Sequence, residues 1–168
     1  MNATVRVSVV ALLCLAAAAC AKKQEVKPTP PPEAPTATAP ATTEGAFKPA
    51  DLQTNACLRT RVIYFDFDKS EIQSQFSDIV ACHAKYLRDR PMARMTIEGN
   101  TDERGTREYN LGLGERRGNA LASALEAAGA SSSQIKVVSY GEERPVCREH
   151  NEGCWHQNRR DNIVYTAE

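Results

Sequence analysis

Residues 97–125 read IEGNTDERGTREYNLGLGERRGNALASAL, and this stretch decides the fold. Around its start, Met95 and Ile97 alternate with polar residues, which is typical of a β-strand. The polar segment 99–106 follows as a loop, and its last residue, Thr106, is of a type that caps helix N-termini. Apolar residues at helical spacing come next: Leu113, Leu121, Leu125 and Ala128. The stretch therefore predicts a strand, a charged loop and a long helix in succession.

Outward from this stretch, predicted strands alternate with predicted helices. The strands are rich in β-branched and aromatic residues and cover 62–65, 95–97, 135–139 and 162–166. The first helix is predicted to begin at a capping box formed by Ser70 and Gln73 and to stop at Pro91. The second ends at Gly129, and a shorter third helix covers 152–159. The order β-α-β-α-β-α-β predicts an α/β two-layer sandwich, with a small mixed sheet and helices on one face.

The N-terminus has the pattern of a secretory signal. Residues 7–19 form an apolar run that is too short for a membrane span, which needs roughly 20 residues. The run ends in Ala17–Ala19 directly before Cys20, and small residues at this point are what signal cleavage requires. This resembles a bacterial lipobox, so we expect 1–19 to be a signal peptide and Cys20 to be lipidated. Cys14 is a competing position but follows a bulky leucine, and an ordinary secretory signal with an incidental Cys20 is the alternative.

The segment after the signal has the composition of a linker. Seven of the nine prolines fall between Pro28 and Pro49, and large apolar residues are almost absent. Such a segment buries too little apolar surface to offset the conformational entropy that it would lose on folding. We therefore expect 20–50 to be a disordered tether. Residues 51–168 are then the folded domain, long enough for one hydrophobic core. Ala21, rather than an aspartate, follows the lipidation position, and by resemblance to enterobacterial sorting this favours the outer membrane.

The charge balance argues against a nucleic-acid partner. Lys and Arg together number 21, and Asp and Glu together also number 21. A protein that binds polyanions through a global positive field would show an excess of basic residues. We therefore expect no nucleic acid among the partners.

The loop and the long helix carry two opposite charges that suit a zwitterionic ligand. Asp102 lies just past the predicted strand, and Asn110, Leu113 and Arg117 share one face of the helix. A carboxylate can bind an ammonium group, while a guanidinium can bind a carboxylate with two parallel hydrogen bonds. The alternative is a structural salt bridge between Asp102 and Arg117, since paired charges usually satisfy each other.

Several strings resemble a known family. TDERGTREYN and LGERRGN lie within 97–125, and the others are YFDFDKSEI at 64–72, VVSYGEERP at 137–145 and NRRDNIVY at 158–165. Together they resemble the OmpA-like peptidoglycan-binding domain and, more closely, the peptidoglycan-associated lipoproteins of Gram-negative bacteria. The resemblance covers about residues 60 to 166.

The resemblance implies a site and a ligand. The domain would bind the meso-diaminopimelate of the peptidoglycan stem peptide without a covalent bond, through Asp102 and Arg117. The pocket would also be lined by Phe67, Asp68, Asn110 and Leu113. Replacing either charge should then abolish binding and leave the melting temperature nearly unchanged. Asn100 stands where the family often has histidine, and we expect binding to survive because asparagine still forms hydrogen bonds.

The resemblance also implies a location and partners. The chain would be anchored by its lipid to the periplasmic face of the outer membrane and would tether that membrane to peptidoglycan. TolB and the other Tol proteins would be its partners, in the Tol-Pal system of envelope integrity and cell division. In the NRR string, Asn158 would be a cap and Arg159 and Arg160 solvated cations, or all three would contact the ligand.

Two further functions stay open at this point. One is a peptidoglycan-modifying enzyme, although no Ser/His/Asp grouping is evident and we expect neither catalysis nor a cofactor. The other is an OmpA-like envelope anchor outside the Tol-Pal system.

Four cysteines follow the tether: Cys57, Cys82, Cys147 and Cys154. A secreted domain enters an oxidising compartment, where cysteines tend to pair. We expect Cys147 to bond Cys154 across a short loop. Cys57 is then expected to bond Cys82 and to pin the segment before the first strand to the first helix. Because His150 and His156 lie beside the later pair, a zinc site is the alternative, but its spacing is not that of a common zinc motif. We expect no metal.

Overall fold

The computed structural model describes residues 45–167, which belong to one compact unit spanning 41–168. The predicted signal peptide 1–19, the lipidation position Cys20 and most of the predicted tether 20–50 lie outside the described residues. None of the helices between residues 45 and 167 is both long enough and apolar enough to cross a membrane.

The predicted alternation of strands and helices is confirmed. In chain order the elements are α1 (Asp51–Thr54), α2 (Ala56–Arg59), β1 (Val62–Tyr64), α3 (Ser77–Asp89), β2 (Arg94–Asn100), α4 (Arg107–Ala127), β3 (Ile135–Gly141), α5 (Glu152–Asn158) and β4 (Arg160–Ala167). Short 3-10 turns precede α3 (Ser74–Phe76) and β3 (Ser132–Gln134). The two short helices α1 and α2 were not predicted.

The four strands form one mixed sheet in the order β1-β4-β2-β3. The C-terminal strand β4 is antiparallel to both of its neighbours, while β2 and β3 are parallel. A parallel pair needs a crossover connection, and α4 supplies it. Ile97 lies opposite Val137 on one side and Ile163 on the other, so the centre of the sheet is apolar.

The core lies between this sheet and the helices α3 and α4, as a two-layer sandwich requires. Its largest buried apolar side chains come from both layers: Ile63, Phe65, Tyr86, Leu87, Met95, Ile97, Leu121, Leu125 and Ile163. Removing such side chains from water is the main stabilising contribution to the domain.

The predicted capping box at Ser70 and Gln73 is wrong. Residues 70–73 are not helical, and α3 begins only at Ser77, with no side-chain cap. The preceding loop is instead held by a long-range contact, because Arg117 binds the carbonyl oxygens of Asp66 and Lys69. A tertiary contact here overrides a local capping preference. By contrast, Thr106 does cap α4, since its hydroxyl oxygen accepts a hydrogen bond from the Tyr109 amide.

Two glycines bring α4 directly onto the end of β2. A Cβ atom on Gly99 would lie 2.1 Å from the carbonyl oxygen of Gly114, and one on Gly114 would lie 2.4 Å from Ser139 Oγ. No larger residue fits without moving the helix. This close contact fixes the helix relative to the loop that follows β2, and the two together form the site described below.

The structure contains both predicted disulfides. Cys57–Cys82 joins α2 to α3 with its Cα atoms 6.3 Å apart, and Cys147–Cys154 closes the loop into α5 with its Cα atoms 5.2 Å apart. The cysteines of the alternative zinc site are thus bonded to each other. Across residues 45–167, no group of three or more His, Cys, Asp or Glu side chains is arranged to hold a metal ion.

Candidate ligand-binding site

A cavity of about 210 Å³ lies where the loop after β2 meets the first turns of α4. All six residues predicted from the sequence line it: Phe67, Asp68, Asp102, Asn110, Leu113 and Arg117. Four more were not predicted, Thr101, Arg104, Gly105 and Tyr109, and the fifth, Arg159, belongs to the NRR string for which ligand contact was one of two interpretations. The fold therefore brings the predicted residues together, while their role in binding stays a prediction.

Asp102 is the acidic group of the cavity. Its side chain is buried, and its two oxygens accept hydrogen bonds from Arg104 Nη2 at 2.7 Å, Arg104 Nε at 3.2 Å and Arg159 Nη1 at 3.2 Å. The Arg104 amide adds a fourth bond at 3.1 Å. Burial alone would raise the pKa of Asp102, but these hydrogen bonds outweigh it and hold the pKa below its ordinary value. The carboxylate is therefore ionised at neutral pH.

Arg117 is the basic group, and it is fully buried. Its Nε, Nη1 and Nη2 donate to the carbonyl oxygens of Lys69, Asn100 and Asp66 at 2.8, 3.0 and 3.1 Å. Burial lowers the pKa of Arg117 to about 10, so it is still charged at neutral pH. A guanidinium has more N–H donors than these three bonds use, so donors remain for an anion in the cavity.

The sequence left open a salt bridge between Asp102 and Arg117, and the structure does not contain one. Asp102 pairs with Arg104 and Arg159, whereas Arg117 binds backbone carbonyls. The nearby Asp161 is fully buried, and its carboxylate accepts no hydrogen bond from residues 45–167. Burial raises the pKa of Asp161, and the positive charge of Arg117 partly offsets this. Arg117 thus has a structural role, but it fulfils this role by binding backbone carbonyls and not by a salt bridge to Asp102.

The rim of the cavity is aromatic. The Arg104 guanidinium lies 4.0 Å from the ring centre of Phe67 and 4.2 Å from that of Trp155, so it contacts both rings. Tyr109 donates a hydrogen bond from its hydroxyl to Asp68. Phe67 and Tyr109 are 55% and 45% exposed, so their rings are available to contact a bound molecule.

The interpretation of Arg159 and Arg160 as solvated cations is wrong, because both side chains are buried. Arg159 donates to the carbonyl oxygen of Phe65 as well as to Asp102 and Glu152. Asn158 is not a simple cap either, since its side chain accepts hydrogen bonds from the amides of residues 146 and 147. Of the three residues, Arg159 lines the cavity and Asn158 holds the backbone of residues 146 and 147.

Asn100, at the position where the family often has histidine, is also buried. Its side-chain amide donates to the carbonyl oxygen of Glu98 at 2.8 Å. Its backbone oxygen accepts from Arg117, so the residue contributes to the site through its main chain.

The chain is similar to proteins of known families. Residues 64–159 match the OmpA family. A peptidoglycan-associated lipoprotein of Haemophilus influenzae is 42% identical over 125 residues, which is 74% of this chain and 79% of the relative. One from Legionella pneumophila is 43% identical over 71% of this chain and 68% of its own length. The chain therefore belongs to the OmpA family and, within it, to the peptidoglycan-associated lipoproteins.

A solved structure agrees with this assignment. The crystal structure of the peptidoglycan-associated lipoprotein from Burkholderia pseudomallei superimposes with a TM-score of 0.67 at 44% sequence identity. The match covers 69% of this chain and 98% of that chain. The similarity thus extends over nearly the whole of that domain.

Proposed function

We propose that this chain is an outer-membrane lipoprotein that binds peptidoglycan non-covalently through the cavity. The proposal rests on one observation: the same cavity contains the ionised carboxylate of Asp102 and the guanidinium of Arg117, which has N–H donors beyond those bonded to backbone carbonyls. The free end of meso-diaminopimelate in a stem peptide carries one ammonium and one carboxylate group. The names of the relatives, as peptidoglycan-associated lipoproteins, support the same ligand.

In this proposal each charge of the ligand meets the opposite charge of the protein. Asp102 takes the ammonium, and the remaining donors of Arg117 take the carboxylate. Leu113 and Phe67 contact the methylene groups between them, while Asn110 and Asp68 complete the polar wall. Both protein charges are already held in place by hydrogen bonds, so little conformational entropy is lost on binding.

The proposal extends to location and partners. With a lipid on Cys20, the domain would reach peptidoglycan from the periplasmic face of the outer membrane through the tether. TolB and the other Tol proteins would be its partners in the Tol-Pal system, which maintains the envelope during division. The domain acts as a binding module rather than an enzyme.

Incubation with purified sacculi separates binding from catalysis. We expect the full-length chain to sediment with sacculi, to be released by excess meso-diaminopimelate, and to liberate no soluble muropeptides. Sedimentation is followed by gel, and muropeptides by chromatography of the supernatant. Release of muropeptides would favour the enzyme, and a chain that stays in the supernatant would refute binding.

The anchor can be tested separately. We expect the mature chain to begin at Cys20 with an acyl modification and to partition with membranes. Replacing Cys20 with serine should move the protein to the soluble fraction, while the control Cys14→Ser should leave the modification in place. Mass spectrometry of the N-terminal peptide checks this, and an unmodified terminus at Ala21 or Lys22 would contradict it.

A further inference from the structure

The acceptor positions of Asp102 are fully occupied in the structure. A carboxylate accepts about four hydrogen bonds, and Asp102 receives three from Arg104 and one from Arg159. A ligand ammonium that binds this carboxylate must therefore displace one of these donors.

The two arginines differ in how firmly they are held. The side chain of Arg159 is 4% exposed and also donates to the Phe65 carbonyl, so it is fixed on the inner side of Asp102. The side chain of Arg104 is 30% exposed and lies at the rim of the cavity. Arg104 is thus the partner that can leave while the domain stays folded.

A second carboxylate lies within reach of the Arg104 guanidinium. Its Nη1 lies 3.5 Å from Glu152 Oε2, and the Glu152 side chain is 62% exposed. The guanidinium also contacts the rings of Phe67 and Trp155, at 4.0 and 4.2 Å from their centres, and these cation–π contacts do not depend on its bonds to Asp102. The side chain can therefore pair with either of two carboxylates.

We propose that Arg104 is an internal occupant of the cation position on Asp102, and that the ammonium of the bound ligand displaces it toward Glu152. This inference rests on the proposed function and adds a residue that sets affinity and selectivity. A ligand without a cation cannot replace the lost ion pair, so Arg104 excludes it. A ligand with an ammonium restores the pairing of Asp102 while Arg104 pairs with Glu152.

Calorimetric titration of the full-length chain, in detergent, with a stem peptide that ends in meso-diaminopimelate tests the displacement. Because Arg104→Ala removes the competitor, we expect this variant to bind about two- to fivefold more tightly than wild type, which is the size of effect of a partly exposed ion pair. The control is Arg107→Ala, which removes an exposed arginine that pairs with Glu143 outside the cavity, and its affinity should not change.

Trp155 gives a second readout, because it is the one tryptophan of the chain. Its emission should change when the peptide binds to wild type, since the guanidinium on its ring moves, and this change should be much smaller in Arg104→Ala. Equal or weaker binding by Arg104→Ala, with wild type still binding, would overturn the displacement and leave the proposed function standing. Failure of both wild type and Arg104→Ala to bind the peptide would overturn the proposed function, and the displacement with it.

Discussion

An Asp102→Asn variant should lose binding to sacculi and to the diaminopimelate peptide. The substitution keeps the shape of the side chain but removes the charge that faces the ligand ammonium. Truncating one partner of a buried charge pair costs about 2–5 kcal/mol, which is a loss of roughly thirtyfold or more in affinity. Titration calorimetry with the full-length chain measures this loss.

The control for this variant is Glu143→Gln. It also removes one negative charge, here from a surface ion pair in which Arg107 Nη2 lies 2.5 Å from Glu143 Oε1, and it should leave the affinity for the peptide unchanged. The pKa of Asp102 is held below its ordinary value, so its charge is lost only as pH falls through that lowered pKa. Wild-type affinity should therefore show no loss from protonation of Asp102 near neutral pH. If Asp102→Asn binds as wild type does, Asp102 serves only to hold Arg104 and Arg159.

Replacing Arg117 with alanine should strongly destabilise the domain. Three backbone carbonyls, of Asp66, Lys69 and Asn100, would lose their donor, and the buried Asp161 would lose its nearby positive charge. Removing one member of a buried charged group costs about 3–5 kcal/mol. Because whole domains are stable by only about 5–15 kcal/mol, this is a large fraction of the total.

Urea unfolding measures the loss, with Arg116→Ala as the control. Arg116 is the exposed neighbour on the same helix, and its removal should change stability by no more than about 0.5 kcal/mol. The burial of Arg117 argues against the sequence-based expectation that its removal spares the fold. An Arg117→Ala variant as stable as wild type would show that these hydrogen bonds contribute little.

Elements whose ends carry recognisable capping or turn residues could be predicted from the sequence. The long helix α4 and its Thr106 cap follow from local residue types alone. The short helices α1 and α2 have only four residues each, too few for periodicity to show. The start of α3 was misplaced because the loop before it is shaped by Arg117, a residue about fifty positions later in the chain.

The residues of the site also fall into those that the sequence could predict and those that depend on the tertiary fold. The six predicted residues come from motif strings, and Arg104 could have been added, since it lies two residues after Asp102 in the same loop. Trp155 could not, and Arg159 could be named only as one of two interpretations of the NRR string, because both reach the loop from a segment more than fifty residues away. Their placement depends on β4 lying beside β2 in the centre of the sheet, and the sequence did not reveal this strand order.

The central claim is that the cavity binds a zwitterion, with Arg117 on its carboxylate. The most direct test compares two stem peptides on the full-length chain by calorimetry, one ending in meso-diaminopimelate and one with lysine, which lacks that carboxylate. We predict that wild type prefers the first by roughly thirtyfold or more, the size of effect of a buried charge pair. Arg117→Lys should lose most of this preference, because an ammonium cannot reproduce the planar fork of donors. Equal affinity of wild type for the two peptides would contradict the account.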